Sequence, residues 1–267
     1  MITGSTRLYA IIGDPIGHVR VPMLFNDYFA RHGIDATCFA IQIGRDDLAA
    51  GWAGLKAIKN LDGFIVTSPH KAGAAELCDA LEPDGAHTGV ANTIRREKDG
   101  SYTGTLLDGR GFVAGMIRAG HELKGGRVYV AGAGGAGTAV AFALADSGVS
   151  RLTIHNRTMP KATSLAAQIK AAYPGCDARP GSADASGHDI VVNATSLGLK
   201  PDDGFSFDPT SADRAALFAE VIMKPEFTPL LVDAKARGHA VHSGVHMLDG
   251  QLHMMMEFFG LGKATRS

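Results

Sequence analysis

The sequence is poor in cysteine, in tryptophan and in unbalanced charge. Its 267 residues include three cysteines and one tryptophan, and 26 Lys and Arg stand against 27 Asp and Glu for a net charge of −1. An odd cysteine count without a C-x-x-C pair argues against a disulfide framework and is typical of reduced thiols in the cytoplasm. Nucleic-acid and membrane-surface binders need an excess of basic charge, so we expect neither kind of partner.

Long hydrophobic runs are also missing. No apolar stretch approaches the roughly 20 residues of a membrane span, and the first residues lack the basic and apolar regions of a signal peptide. The chain is nevertheless 45% hydrophobic, too apolar for a disordered protein. Its length accommodates two domains. We therefore expect a cytoplasmic globular protein.

Short apolar runs alternate with amphipathic stretches along the chain. A strand over Leu8–Ile12, a helix over Pro22–Arg31, a strand over Gly63–Thr67 and a helix over Pro69–Leu81 follow in order. This order predicts an α/β fold with a mostly parallel sheet and helices on both faces. We predict a first domain over residues 1–107, a second over 108–239, and a C-terminal segment, 240–267, that packs back on the first.

A glycine-rich turn opens the second domain. Gly132, Gly134 and Gly137 follow the apolar run Arg127–Ala131 in a G-x-G-x-x-G pattern and precede an alanine-rich helix. In a dinucleotide site the first glycine permits the tight turn, the second lets a pyrophosphate approach, and the third allows close packing of the helix. The helix N-terminus offers its amides to phosphates. A flexible glycine-rich loop is the alternative interpretation.

The residues after the next predicted strand bear on the choice of cofactor. An NAD site usually has a carboxylate there for the ribose 2′-hydroxyl, but this chain has Asn156, Arg157 and Thr158, with Lys161 one turn later. A guanidinium can hold a 2′-phosphate with two hydrogen bonds. We therefore predict NADP in preference to NAD. The alternative is that Arg157 is a solvated surface residue.

Two ionisable residues in the first part of the chain suggest proton transfer. Lys71 lies in the first turn of a predicted helix, close to the carboxyl end of a strand, and Asp108 follows another predicted strand. Open α/β sheets bind ligands at such strand ends. A lysine and a carboxylate there could protonate or deprotonate a substrate hydroxyl. Scattered surface polar residues are the alternative interpretation.

Eight motifs follow one another in order along the chain. They are Ile12 to His18, Val66 to Lys71, Ala91 to Thr93, Gly132 to Gly137, Asn156 to Thr158, Asn193 to Gly198, Pro225 to Leu231, and Gly244 to Gln251. Through these motifs the sequence resembles the shikimate/quinate dehydrogenase family over nearly its whole length. The resemblance implies a substrate domain, a Rossmann-like NADP domain, and a C-terminal helix that returns to the first. It also implies reduction of 3-dehydroshikimate to shikimate, or the related quinate couple.

The resemblance also implies roles for individual residues. Lys71 would move a proton to the forming hydroxyl, with Asp108 as its partner. Thr67, Asn92 and Gln251 would hold the ring hydroxyls of a cyclic polyol. Lys161 is added to the cofactor site because of its charge, and Thr195 and Ser196 are expected on the nicotinamide side. The implied NADP-binding residues are then Gly132, Ala133, Gly134, Gly135, Ala136, Asn156, Arg157, Thr158, Lys161, Thr195 and Ser196.

The chain departs from the family where the family binds the substrate carboxylate. Val19 and Val21 stand in place of two serines of that site. Leu106-Leu107 replaces an Asn-Thr pair, and Met223 replaces a tyrosine. A valine donates no hydrogen bond, and each bond lost to a charged group costs about 1.5–3 kcal/mol. We therefore predict altered carboxylate recognition and poor binding of shikimate itself.

Other functions are weaker alternatives. A non-catalytic ligand-binding paralogue of the same fold disagrees with the presence of both Lys71 and Asp108. A methylenetetrahydrofolate dehydrogenase disagrees with the motifs around Asn193 and Gln251. No histidine pattern matches a zinc site, so we expect no metal. His18 could contact the substrate or shape its turn. We expect a monomer or a homodimer.

Overall fold

The computed structural model describes residues 2–17 and 19–262, and these residues form two compact units. The first unit lies within Met1–Leu107 and Leu252–Ser267, and the second is Asp108–Gln251. His18 lies outside the described residues. Among the described residues, no helix combines the length and the apolar character that crossing a membrane requires.

The first unit contains a six-stranded sheet with the strand order β2-β1-β3-β5-β6-β4. Its strands are β1 (Arg7–Gly13), β2 (Ala36–Gln42), β3 (Leu61–Val66), β4 (Ala80–Leu81), β5 (Thr93–Arg96) and β6 (Tyr102–Thr105). β1 pairs in parallel with β2 and β3, and β4 pairs in parallel with β6. β5 runs antiparallel to β3 and to β6, and the turn at Asp99-Gly100 joins β5 to β6 as a hairpin.

Helices cover both faces of this sheet. They are α1 (Val21–His32), α2 (Leu48–Ala57), α3 (Lys71–Leu77), α4 (Pro83–Thr88) and the end of α9 (Val245–Phe258). Side chains alternate across the strand, so Ala10 and Ile12 of β1 join one apolar cluster, with Trp52. Tyr9 and Ile11 join the other, with Phe25. Both faces of β1 are therefore buried, which explains its continuous apolar run.

The helix predicted over Pro69–Leu81 is wrong at both ends. α3 covers only Lys71–Leu77, and Ala80–Leu81 pairs with β6 as the short strand β4. The Asp79 amide donates to the Tyr102 carbonyl at 2.9 Å, and its carboxylate accepts from the Tyr102 amide at 2.7 Å. These two hydrogen bonds hold the chain in strand geometry and end the helix.

The second unit contains a six-stranded sheet with the strand order β12-β11-β10-β7-β8-β9, parallel at every pairing. Its strands are β7 (Arg127–Ala131), β8 (Arg151–His155), β9 (Asp177–Pro180), β10 (Ile190–Asn193), β11 (Leu217–Glu220) and β12 (Val241–His242). Its helices are α5 (Asp108–Arg118), α6 (Gly135–Asp146), α7 (Met159–Ala172), α8 (Pro229–Ala236) and the start of α9. The pattern did not indicate β9, an edge strand that lacks apolar alternation.

Close backbone contacts lock the start of α6 to the sheet. A Cβ atom built on Gly137 would lie 2.2 Å from the Gly132 carbonyl oxygen, and one on Gly132 would lie 2.7 Å from the Ala194 carbonyl oxygen. Gly132 also has a φ of +116°, which disfavours any side chain. A Cβ on Gly134 or Gly135, by contrast, meets no atom within 4 Å. The first and last glycines of the motif serve packing, and the middle positions face open space.

We predict opposite effects of two alanine substitutions in this turn. Gly137→Ala lowers the free energy of unfolding by about 1–3 kcal/mol or more, because the backbone of the turn must move away from the new methyl group. Gly135→Ala raises it by about 0.4–1 kcal/mol, because alanine restricts the unfolded chain and meets no neighbour. Urea unfolding followed by circular dichroism measures both. Equal effects of the two variants would contradict the packing role of Gly137.

Candidate functional site

A cavity of about 670 Å³ opens at the carboxyl edge of the second sheet. It lies where β7, β8 and β10 end, the edge at which open α/β sheets bind ligands. All eleven residues that the sequence analysis assigned to the cofactor line it, from the glycine turn, from the segment after β8 and from the segment after β10. His155, Ala194, Leu197, Ser206 and Val221 also line the cavity, and the sequence analysis did not select them.

The glycine turn forms one wall of the cavity. Gly134, Gly135 and Ala136 are exposed, whereas Gly137 is buried against the sheet. Gly134 is the N-cap of α6 and has no side chain to cap the helix. The first-turn amides therefore stand at the cavity with the positive end of the helix dipole behind them, an arrangement that suits a phosphate.

The segment after β8 forms the second wall and carries positive charge. Arg157 and Lys161 are exposed at the cavity. Asn156 ties this segment to the glycine turn, because its Oδ1 accepts from the Ala133 amide at 3.2 Å and its Nδ2 donates to the Thr158 carbonyl at 3.0 Å. Over the described residues, the cavity lining includes no carboxylate. The electrostatics therefore favour an anionic ligand.

A buried polar network supports the third wall. Asn193, at the end of β10, accepts through Oδ1 from the Thr195 amide at 3.2 Å, the Thr195 hydroxyl at 2.7 Å and the Ser206 hydroxyl at 3.0 Å. Its Nδ2 donates to Glu220 Oε1 at 3.0 Å. Sequence reasoning missed Glu220, although a carboxylate that ends an apolar strand is a signal of a buried polar site.

In the first unit, three of the selected residues lie around the end of β3. Lys71 begins α3 and is half-buried, and its carbonyl accepts from the Ala91 amide at 2.9 Å. The Thr67 amide donates to the Ile12 carbonyl at 2.9 Å. Asn92 is buried, and its Oδ1 accepts from the Leu107 amide at 3.1 Å. β1, β3 and the approach to β5 thus position these three residues.

The residues that depart from the family motifs lie in apolar surroundings. Val21 and Leu107 belong to one buried cluster with Tyr9 and Ile65, and Val19 packs against it. Leu106 is also buried, whereas Met223, in the second unit, is 43% exposed. A carboxylate near Val19 and Val21 would face methyl groups rather than hydroxyls.

In the second unit, Asp108 and Gln251 are joined directly. Asp108 is the first residue of α5, and its Oδ1 accepts from Gln251 Nε2 at 2.9 Å. Gln251 is 5% exposed and lies on α9, which packs closely on α5, since a Cβ on Gly111 would lie 2.3 Å from the Gln251 Cγ. The sequence analysis selected both residues, and the structure brings them together within this unit.

Within the described residues, no group of three His, Cys, Asp and Glu side chains has the geometry of a metal site. His242 and His246 lie close together, with ring centroids 4.8 Å apart. Burial, with the neighbouring imidazoles of His246 and His121, lowers the pKa of His242 to about 4. This ring is therefore neutral at neutral pH and packs against Phe112.

Comparison with known proteins supports the resemblance. The family described as "Shikimate dehydrogenase substrate binding domain" matches residues 11–94, and "Shikimate / quinate 5-dehydrogenase" matches residues 116–198. A curated relative from Bacillus anthracis named "Shikimate dehydrogenase (NADP(+))" is 33% identical over 245 residues, which cover 90% of this chain and 88% of the relative.

Solved structures agree with this. The shikimate 5-dehydrogenase from Listeria monocytogenes in complex with shikimate and NAD is 29% identical with a TM-score of 0.87, covering 97% of this chain and 93% of that one. The ligand-free 5-ketofructose reductase of Gluconobacter sp. strain CHM43 is 28% identical with a TM-score of 0.83, covering 96% and 94%. The two-unit α/β fold, the glycine turn and these matches establish that the chain belongs to the shikimate/quinate dehydrogenase family.

Proposed function

We propose that this protein is an NADP-dependent oxidoreductase that interconverts a ring hydroxyl and a ketone on a shikimate-like cyclic polyol. The proposal rests on the cavity of the second unit. Exposed glycines at the start of α6 line this cavity together with the cationic side chains of Arg157 and Lys161, and no carboxylate lines it among the described residues. The curated relative named for NADP supports the same choice of cofactor. We assign the NADP-binding role to residues 108–239 and the substrate-binding role to 1–107, with 240–267 as a C-terminal segment that packs back on the substrate domain.

The cavity residues fit the parts of NADP. The open space over Gly134 and Gly135 suits the pyrophosphate, which would meet the first-turn amides of α6. Arg157 and Lys161, with Thr158, would hold the 2′-phosphate. Thr195 and Ser196 would lie toward the nicotinamide. When bound, NADP(H) supplies or accepts the hydride.

The protein's own residues handle the proton and the ring. Lys71 donates a proton to the oxygen that becomes a hydroxyl, and takes it back in the reverse direction. Asp108 is kept in place by the hydrogen bond from Gln251. Its carboxylate orients a ring hydroxyl of the substrate by accepting a hydrogen bond from it. The other ring hydroxyls are bound by Thr67, Asn92 and Gln251. The Asn92 side chain is buried, and its Oδ1 is fixed by the hydrogen bond that it accepts from the Leu107 amide.

The substrate differs from shikimate at the position of its carboxylate. Val21 and Leu107 belong to one apolar cluster, against which Val19 packs, so this corner favours a ring with a less polar substituent. The similarity to a reductase named for 5-ketofructose supports the idea, because that keto sugar carries no carboxylate. A panel of shikimate, quinate and carboxylate-free cyclic alcohols, assayed with NADP and NAD by reduced-nicotinamide absorbance, identifies the substrate class.

We expect Lys71→Ala to lower kcat with the best substrate of that panel about 10²–10⁴-fold, the usual contribution of a positioned acid or base. The dissociation constant for NADPH stays unchanged, because Lys71 lies outside the cavity of the second unit. Lys98→Ala, at the exposed tip of the β5–β6 hairpin, is the matched control and keeps full activity. A loss of less than about tenfold in kcat would remove Lys71 from proton transfer.

We also expect Val19→Ser combined with Val21→Ser to raise kcat/KM for shikimate. Two recovered hydrogen bonds to the carboxylate set an upper limit of about 10²–10⁴-fold. The gain falls mostly in KM, because a remote carboxylate is bound equally in the ground and transition states. Folding stability falls, because Val21 is buried among apolar side chains.

The matched control is the corresponding double alanine variant, which removes the same methyl groups and adds no hydroxyl. An equal gain with alanine would show that volume, not hydrogen bonding, limits shikimate. A micromolar KM of the unmodified protein for shikimate would contradict altered carboxylate recognition altogether.

A further inference from the structure

Glu220 is a buried carboxylate that the proposed reaction does not use. It ends β11 and is fully buried. Its Oε1 accepts from Asn193 Nδ2 at 3.0 Å and from the Thr228 hydroxyl at 2.8 Å, and its Oε2 lies 3.2 Å from the same Asn193 nitrogen. The carboxylate therefore sits in a shell of donors, as an ionised group requires.

This shell fixes the orientation of the Asn193 amide. A carboxylate only accepts hydrogen bonds, so the Asn193 NH₂ group must face Glu220 and its oxygen must face the opposite way. That oxygen is the acceptor for Thr195 and Ser206, which line the cavity. If Glu220 gains a proton, its new O–H takes either the Thr228 hydroxyl or the Asn193 oxygen as acceptor, and in either case the neutral carboxyl holds the Asn193 NH₂ group less strongly. Where the Asn193 oxygen is the acceptor, the amide must turn and would then present donors to the Thr195 amide.

We infer that Glu220 is a positioning residue for the dinucleotide pocket: its ionised carboxylate, acting through Asn193, holds Thr195 and Ser206 in the arrangement that binds the cofactor. The inference rests on the proposed function only in that the pocket binds NADP(H). Its consequence is an affinity for the cofactor that depends on the ionisation of Glu220.

The surroundings of Glu220 bring the ionisation of its carboxyl group close to neutral pH. Burial raises its pKa to about 7, and the hydrogen bonds from Asn193 and Thr228 oppose that rise. Of the nearby charged residues, Asp233 of α8 pairs with Arg237, the residue that follows this helix.

Another titratable neighbour lies across the sheet. His242 of β12 pairs in register with Ala219, so its ring points to the sheet face opposite Glu220, where it contacts Phe112. His155 lines the cavity itself.

The test is the dissociation constant for NADPH, measured by nicotinamide fluorescence from about pH 6 to about pH 8.5 on the full chain and on Glu220→Gln. The 2′-phosphate of NADPH also titrates near pH 6, so the quantity compared is the ratio of the two dissociation constants. We expect Glu220→Gln to bind about threefold to tenfold more weakly at the upper pH, where the wild-type carboxylate is ionised. The ratio approaches one at the lower pH.

Two further variants separate positioning from general stability. Glu220→Asp keeps the charge and restores the pH dependence. Asp189→Asn is the matched control, since Asp189 precedes β10 at the end opposite Asn193 and binds Arg127 there. The ratio of its dissociation constant for NADPH to that of the wild-type protein stays near one at every pH. Thermal unfolding reports whether each variant is folded.

If Glu220→Gln does not fold, the affinity of His155→Asn for NADH decides, because NADH lacks the 2′-phosphate and this variant lacks the imidazole that lines the cavity. It rises between about pH 6 and about pH 8.5 if the inference holds. A flat or falling profile of His155→Asn, or a Glu220→Gln ratio of one at every pH, would overturn the inference while the proposed function stands. Failure of the wild-type protein to bind either NADPH or NADH would overturn both.

Discussion

The contact between the start of α6 and the sheet is the constraint on which the cofactor site depends. Gly137 lies so close to Gly132 that a single methyl group would fall 2.2 Å from a carbonyl oxygen, and a methyl group on Gly132 would fall 2.7 Å from the carbonyl oxygen of Ala194. Three chain segments can meet in this way only because Gly132 and Gly137 carry no side chain. Their meeting aims the amides of α6 at the cavity and brings the end of β10 beside the glycine turn, so that Thr195 faces the same cavity as Gly134.

Behind that contact, side-chain amides hold the loops that line the cavity. Asn193 and Glu220 satisfy each other and hold the loop after β10, much as Asn156 holds the segment after β8 to the glycine turn. Buried polar groups without partners are costly, so such networks specify one arrangement of the loops around them. In the first unit, by contrast, Val21 and Leu107 belong to an apolar cluster at two of the positions where the sequence departs from the family motifs.

Local pattern was enough to predict the strands at the core of both sheets and the glycine turn, and the family resemblance added the rest of the eleven predicted residues that line the cavity. β7 and β8 carry continuous apolar runs, and the spacing of Gly132 to Gly137 is a local property of the chain. Contacts between distant segments were not predictable. The pairing of Asp79 with Tyr102 ended a helix that composition favoured, and Glu220 meets Asn193 across 27 residues of sequence. The bond between Gln251 and Asp108 spans 143 residues and was visible only in the fold.

The most direct test of the account is the preference of the pocket for the phosphorylated dinucleotide. Equilibrium titration with NADPH and with NADH, on the wild-type protein and on Arg157→Ala, measures it. The account predicts tighter binding of NADPH by about tenfold or more, as one charge-assisted pair contributes, and loss of most of that preference in the variant. Arg151→Ala, at the other end of β8 and paired with Asp177, serves as the control that keeps the preference. Equal affinities of the wild-type protein for the two dinucleotides, or a preference that survives Arg157→Ala, would contradict the account.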